Sequence, residues 1–149
     1  MIHNRRLCCL AAALWWGSLS AVGFYVVPML FVHLQPTALA GNMAARLFSG
    51  QTWISVVCAM VLLIASRGRG RADEDAAAAV PSTWLALVLG GLLLALLSEF
   101  AVSPRIVARE NLKLWHSVGT GFYVLQWACA GLAFWRLLVP ERLPGLTRR

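Results

Sequence analysis

Residues 83–102 read TWLALVLGGLLLALLSEFAV, and this stretch decides the fold class. It contains a single charged residue, Glu99, which comes near its end. An α-helix needs about 20 consecutive, mostly apolar residues to cross the hydrocarbon core of a bilayer. The stretch therefore predicts a transmembrane helix, with a carboxylate close to one of its ends.

The rest of the chain is similarly apolar. Of its 149 residues, 60% are hydrophobic and 13% are charged, whereas soluble domains average about 45–50% apolar and about 25% charged residues. The net charge of +7 does not indicate nucleic-acid binding, because the basic residues stand at the ends of apolar runs and form no patch with aromatic residues. The composition indicates a multipass membrane protein whose partner is the lipid bilayer, with no nucleic acid.

Three further apolar runs complete the predicted architecture. The first continues past the point at which a signal peptide would be cleaved, so we expect it to remain as a helix. A loop with arginines, acids and glycines, residues 66–82, separates the second run from the third. We predict an all-α fold, a four-transmembrane-helix antiparallel bundle in a single integral membrane domain, residues 1–149, with helices at about 7–33, 42–65, 83–102 and 114–139.

The basic residues indicate the orientation of these helices. Four spans place both termini on one side, together with the 66–82 loop, and nine of the thirteen lysines and arginines fall on that side. Because cytoplasmic loops carry an excess of Lys and Arg, we expect both termini and this loop to be cytoplasmic. The expected location is the bacterial cytoplasmic (inner) membrane.

Small residues at helical spacing suggest where the helices touch. In lipid, helices associate through close backbone contact, which small residues permit. Three such stripes occur, and they are Ala13, Gly17 and Ala21; Gly91 and Ala95; Ser117 and Gly121. We also expect Gln126, in the middle of the fourth helix, to hydrogen-bond a neighbouring helix.

Ionisable residues near the outer helix ends are the candidate functional site. On the predicted topology five of them converge there, and we call them the outer cluster: Glu99, His116, Arg105, Arg46 and His33. We expect Glu99 and His116 to face each other, with Arg105 or Arg46 completing the group. Ionisable residues in spans are costly and often functional, so a structural ion pair and a binding or proton-handling site are both open.

Motifs of known chemistry do not narrow the function further. The four cysteines lack CxxC spacing and are expected to be small buried residues. We expect no catalytic residue, no metal site and no cofactor, and favour a non-enzymatic protein that binds or conducts a small solute or metal ion at the outer cluster. The alternative is a haem- or quinone-linked membrane oxidoreductase using His33 and His116. A homo-oligomer and a larger membrane partner both stay open.

Four stretches spread over most of the chain resemble a known family. They are LWWGSLSAVGFYVVPMLF, LAGNMAARLF, EFAVSPRI and LWHSVGTGFYVLQ. In order and spacing they resemble the small four-helix membrane proteins related to animal transmembrane protein 205, which include a bacterial branch known as a domain of unknown function. The resemblance implies a four-span membrane protein with no settled activity or cofactor. It implies that the family-type positions are Pro28, Phe31, Gly41, Phe48, Glu99, Pro104, Arg105 and His116.

Overall fold

The described part of the chain is all-α. The structure, a computed structural model, describes residues 2–70 and 82–139, and the side chains of residues 5–66 and 83–139. Its elements in chain order are α1 (Ile2–Ala21), a first π turn (Val22–Val26), α2 (Val27–His33), α3 (Thr37–Gly70), α4 (Ser82–Leu97), a second π turn (Ser98–Val102), α5 (Ser103–Val107) and α6 (Leu112–Leu138).

Three helical segments are long and apolar enough to cross a membrane. They are Arg5–His33, Thr37–Ser66 and Thr83–Val107. The first and third each include a π turn, and the helix continues through it. α6 has 27 residues, which is long enough, but polar residues such as Gln126 keep its hydropathy below that of the other three.

The observed helix bounds differ from the predicted ones at several places. α1 begins at Ile2, ahead of the predicted start near residue 7, and α3 runs to Gly70, into the predicted loop 66–82. α3 begins at Thr37, ahead of the predicted start near residue 42, directly after Pro36. The segment after residue 102 was expected to be a loop, but it holds the short helix α5, with Pro104 in its first turn. Proline is favoured there because the first helical N–H groups lack intrahelical partners in any case. Much of the predicted cytoplasmic loop, residues 71–81, lies outside the described residues.

The helices pack as neighbours in a closed order. α1 packs against α3 and α6, and α4 packs against the same two helices. The Arg5 guanidinium donates to the Leu137 carbonyl at 3.4 Å, and the Trp84 indole N–H donates to the Ala133 carbonyl at 3.2 Å. The starts of α1 and α4 therefore lie beside the end of α6. We call this the N-terminal end, and the opposite end, which carries α2 and α5, the distal end.

The apolar core lies in the half of the helix bundle that is nearer to the N-terminal end. Its fully buried side chains include Trp15, Leu62 and Val88, and small residues of α1, α3 and α6 fill the remaining positions. Large apolar side chains such as Leu10, Leu93 and Leu132 are exposed on the outside. Soluble monomers rarely expose so continuous an apolar surface, so this surface suits contact with lipid.

Both π turns directly precede a proline. The first ends two residues before Pro28 and the second two residues before Pro104. Proline has no N–H to donate, and its ring clashes with the carbonyl four residues earlier. In each π turn the hydrogen bond skips one residue more than in an α-helix, from the Val27 N–H to the Val22 carbonyl and from the Ser103 N–H to the Ser98 carbonyl. The sequence therefore changes the helix geometry just where a proline follows.

Candidate functional site

Glu99 lies in the second π turn and contacts α3. The Ser49 hydroxyl lies 2.8 Å from Oε1 and 3.0 Å from Oε2 of Glu99, so it donates its one proton to this carboxylate. Both side chains are half-buried. Among the side chains of residues 5–66 and 83–139, no cation forms an ion pair with the carboxylate. The carboxylate thus has one neutral donor and unused acceptor positions.

The structure does not bring Glu99 into hydrogen-bond contact with the other members of the outer cluster. The Arg105 guanidinium donates to the Ala101 carbonyl at 2.6 Å and lies over the Trp115 ring, 4.5 Å from its centroid. His116 Nδ1 lies 3.1 Å from the Leu112 carbonyl. His33, at the end of α2, and Arg46, in α3, are both exposed.

Glu99 and His116 form no hydrogen bond or ion pair with each other, because each is bonded elsewhere. The helix that carries Glu99 continues as α5, and α6 begins only at Leu112. His116 is exposed on the first turns of α6 and bonds back to its own helix. A binding function of the outer cluster stays a prediction.

Sequence reasoning missed Ser49. A serine in an apolar helix is common and carries no periodic signal, because its hydroxyl can bond the carbonyl of the preceding turn. A weak signal did exist in the polar residues that recur along α3 after Arg46, which are Ser49, Gln51, Thr52 and Ser55. Of these, only Ser49 reaches Glu99.

A buried polar network links three helices near the middle of the structure. Gln126 Nε2 donates to the Ser55 hydroxyl at 2.9 Å, which confirms that Gln126 bonds a neighbouring helix. The Ser55 hydroxyl donates to the Gln51 carbonyl, and Gln51 Nε2 donates to the Ser18 hydroxyl, each at 2.9 Å. All members are neutral, and the network lies between the Glu99 level and the apolar core.

Tyr123 of α6 holds the first π turn. Its hydroxyl donates to the Leu19 carbonyl, just before that turn, at 2.7 Å. A Cβ on Gly23 would lie 2.9 Å from both Cζ and Oη of Tyr123, so glycine is needed at this position.

Histidine, cysteine and carboxylate side chains do not form a metal centre in the part of the chain that the structure describes. No group of three or more of them lies close enough to hold a metal ion there. His33 and His116, the residues of the haem or quinone alternative, lie on α2 and α6, and both are exposed.

Comparison with known proteins adds one result. No curated protein and no solved structure matches the chain. Residues 10–114 match a family described as a domain of unknown function, DUF4149. The match begins within α1 and ends at the start of α6, so it includes Ser49 and Glu99 and leaves out His116. Because it covers more than two thirds of the chain, the protein belongs to the DUF4149 family.

Proposed function

We propose that the chain is a four-span integral membrane protein of a bacterial cytoplasmic membrane. α1 with α2, α3, α4 with α5, and α6 are the four spans of an antiparallel bundle. Three of these segments are long and apolar enough to cross, and α6 packs between α1 and α4. With α6 as a fourth span, nine of the thirteen lysines and arginines fall on one side of the membrane, as expected for the cytoplasmic side. The link to transmembrane protein 205 stays a prediction.

Reporter fusions test this topology. Fusions after Pro36, Glu74, Asn111 and Arg149 should report outside, inside, outside and inside, because the side with more Lys and Arg stays in the cytoplasm. A phosphatase active only outside and a fluorescent protein active only inside give complementary readings. An inside signal after Asn111 combined with an outside signal after Arg149 would contradict the proposed orientation.

The function that the geometry supports best is reversible binding of a proton or a small cation at Glu99 and Ser49. One observation carries it. The Glu99 carboxylate is half-buried in a π turn, and its one described partner is the Ser49 hydroxyl. Ionisable residues within spans are rare and mark proton relays and ion sites, and π turns are frequent at functional sites. A carboxylate with spare acceptor positions can take up a proton or coordinate a hard cation.

The distribution of polar residues favours binding over conduction. Polar side chains form two separate groups, Glu99 with Ser49 toward the distal end and Gln126 with Ser55 near the middle. Beyond that level the described core is apolar, with Cys58, Leu62 and Val88 buried among small side chains. A conducted ion would lose its hydration there without replacement ligands, at a large free-energy cost. An ion bound at Glu99 would therefore exchange on the distal side, away from the apolar core.

Infrared difference spectroscopy of the protein in lipid nanodiscs tests the site. We expect a carboxyl band to respond to a pH jump or to added Na⁺, K⁺, Mg²⁺ or Zn²⁺, because protonation and coordination both change the carboxyl vibration. Glu99→Gln should remove one component of the response, and Ser49→Ala should shift that component. Glu110→Gln is the matched control, because Glu110 is exposed between α5 and α6 and its loss should leave the component assigned to Glu99 unchanged.

Two results would count against this proposal. If Glu99→Gln lowers the thermal unfolding midpoint but every carboxyl response persists, Glu99 is only a structural contact between α3 and the second π turn. A Soret band in the purified protein, lost in His33→Ala or His116→Ala, would instead favour the haem alternative.

A further inference from the structure

Two buried polar atoms near the middle of the structure have no hydrogen-bond partner. They are the indole Nε1 of Trp15 and the amide Oε1 of Gln51, and no other buried side-chain nitrogen or oxygen in the described residues shares this state. Trp15 is 0% exposed and Gln51 is 3% exposed. More than nine tenths of buried polar groups in native proteins are paired, and the exceptions usually point to a bound water or ion.

The two atoms belong to one local group of side chains. Trp15 and Ser18 are three residues apart on α1, so they share a face of that helix. Gln51 of α3 donates through Nε2 to the Ser18 hydroxyl at 2.9 Å, and that hydroxyl donates to the Trp15 carbonyl at 3.0 Å. The unpaired amide acceptor thus belongs to a side chain bonded to Ser18, and the unpaired indole donor belongs to a residue on the same helix face as Ser18. One is a donor and the other an acceptor, so a single molecule that both accepts and donates satisfies both.

The surroundings restrict what that molecule can be. Every polar group of the set is neutral, and an ion there would be buried without a compensating charge. Trp15 and Gln51 are almost completely buried, which favours a very small molecule. A neutral molecule of the smallest size, with one donor and one acceptor in use, is water.

We infer that the protein has an internal water-binding site between α1 and α3, formed by Trp15, Ser18 and Gln51. The bound water accepts from the Trp15 indole N–H and donates to Gln51 Oε1. It extends the polar network that runs through Ser55 to Gln126, so that α1, α3 and α6 share one hydrogen-bonded layer. This site is separate from Glu99 and does not depend on the proposed proton or cation binding.

Nuclear magnetic resonance on the full chain in nanodiscs tests the site through its indole protons. In ¹⁵N-labelled protein, water-selective cross-relaxation should give a water cross-peak for the Trp15 indole proton, assigned with Trp15→Phe. Trp84 and Trp127 are internal controls in the same sample. Their indole N–H groups donate to the Ala133 carbonyl at 3.2 Å and to the Ser20 hydroxyl at 2.8 Å, so neither should show such a peak.

The variant Gln51→Leu separates a bridging water from general hydration. It removes the acceptor, so the Trp15 cross-peak should disappear while the Trp84 and Trp127 resonances keep their positions. If those resonances move, the measurement is repeated with Gln51→Met, which keeps the side-chain length. A wild-type protein without a Trp15 cross-peak overturns the inference, because the indole is then paired with protein or dry. A cross-peak that persists at full intensity in the folded Gln51 variant also overturns the bridge.

Discussion

Gly91→Ala should destabilise the protein strongly. The new Cβ would lie 2.9 Å and 3.0 Å from Cη2 and Cζ2 of Trp15, and 3.3 Å from Cβ of Cys129. Trp15 is fully buried, so its ring cannot move aside without displacing α1 or α6. Overpacking of this kind typically costs about 1–3 kcal/mol. The thermal unfolding midpoint in detergent should therefore fall clearly below that of the wild type.

The neighbouring glycine provides the control. A Cβ on Gly90 would meet nothing within 4 Å, so Gly90→Ala should leave the midpoint unchanged or raise it slightly. The two variants have the same composition and differ by one position on α4, which isolates the contact with Trp15. Equal midpoints for both would show that α4 and α1 do not approach as closely as the structure has it.

The space around the other glycines corrects two of the three small-residue stripes. We expected Gly17 and Gly91 to form helix contacts alike, but Gly17 is exposed and a Cβ there meets nothing within 4 Å. Gly121 is equally open. The glycines that do admit a neighbouring ring are Gly23, Gly91 and Gly131, against Tyr123, Trp15 and Trp16 respectively. The spacing of small residues identifies a stripe, but the position of an aromatic side chain on the neighbouring helix decides whether its glycines form a helix contact.

Tyr123→Phe should lower stability by a comparable amount. Its hydroxyl donates to the Leu19 carbonyl at 2.7 Å, where the first π turn interrupts the regular hydrogen-bond pattern of the helix. Leu19 is 0% exposed, so water cannot readily replace the hydroxyl. A buried carbonyl left without a donor costs about 1–3 kcal/mol. The thermal unfolding midpoint in detergent measures the loss.

Tyr25→Phe is the matched control for this variant. Tyr25 lies in the same π turn, but its side chain is 67% exposed, so loss of its hydroxyl should change the midpoint little. If the two variants have equal midpoints, the hydrogen bond to Leu19 contributes nothing to stability.

Much of the helical architecture was predictable because it depends on composition along the chain. Long apolar runs such as 83–102 are expected to be helical, because in lipid every backbone N–H and C=O must be paired and a helix pairs them within one segment. The end of α2 at His33 was predicted in the same way, whereas the start of α3 was placed near residue 42 and lies at Thr37. The interhelical bond of Gln126 was predictable too, since an amide in the middle of an apolar helix needs a partner.

The partners of individual polar side chains were not predictable in this way. Glu99 has the same sequence context whether it meets His116, an arginine or Ser49, and its partner depends on how far the second π turn and α5 extend the helix before the chain turns back. The unpaired Trp15 and Gln51 atoms likewise become visible only when α1 and α3 are placed side by side. By itself the sequence determined an all-α, membrane-type chain with a carboxylate near one helix end, because hydrophobicity acts residue by residue. Only the tertiary structure decided which groups meet, because hydrogen bonds require distances near 3 Å between residues far apart in the chain.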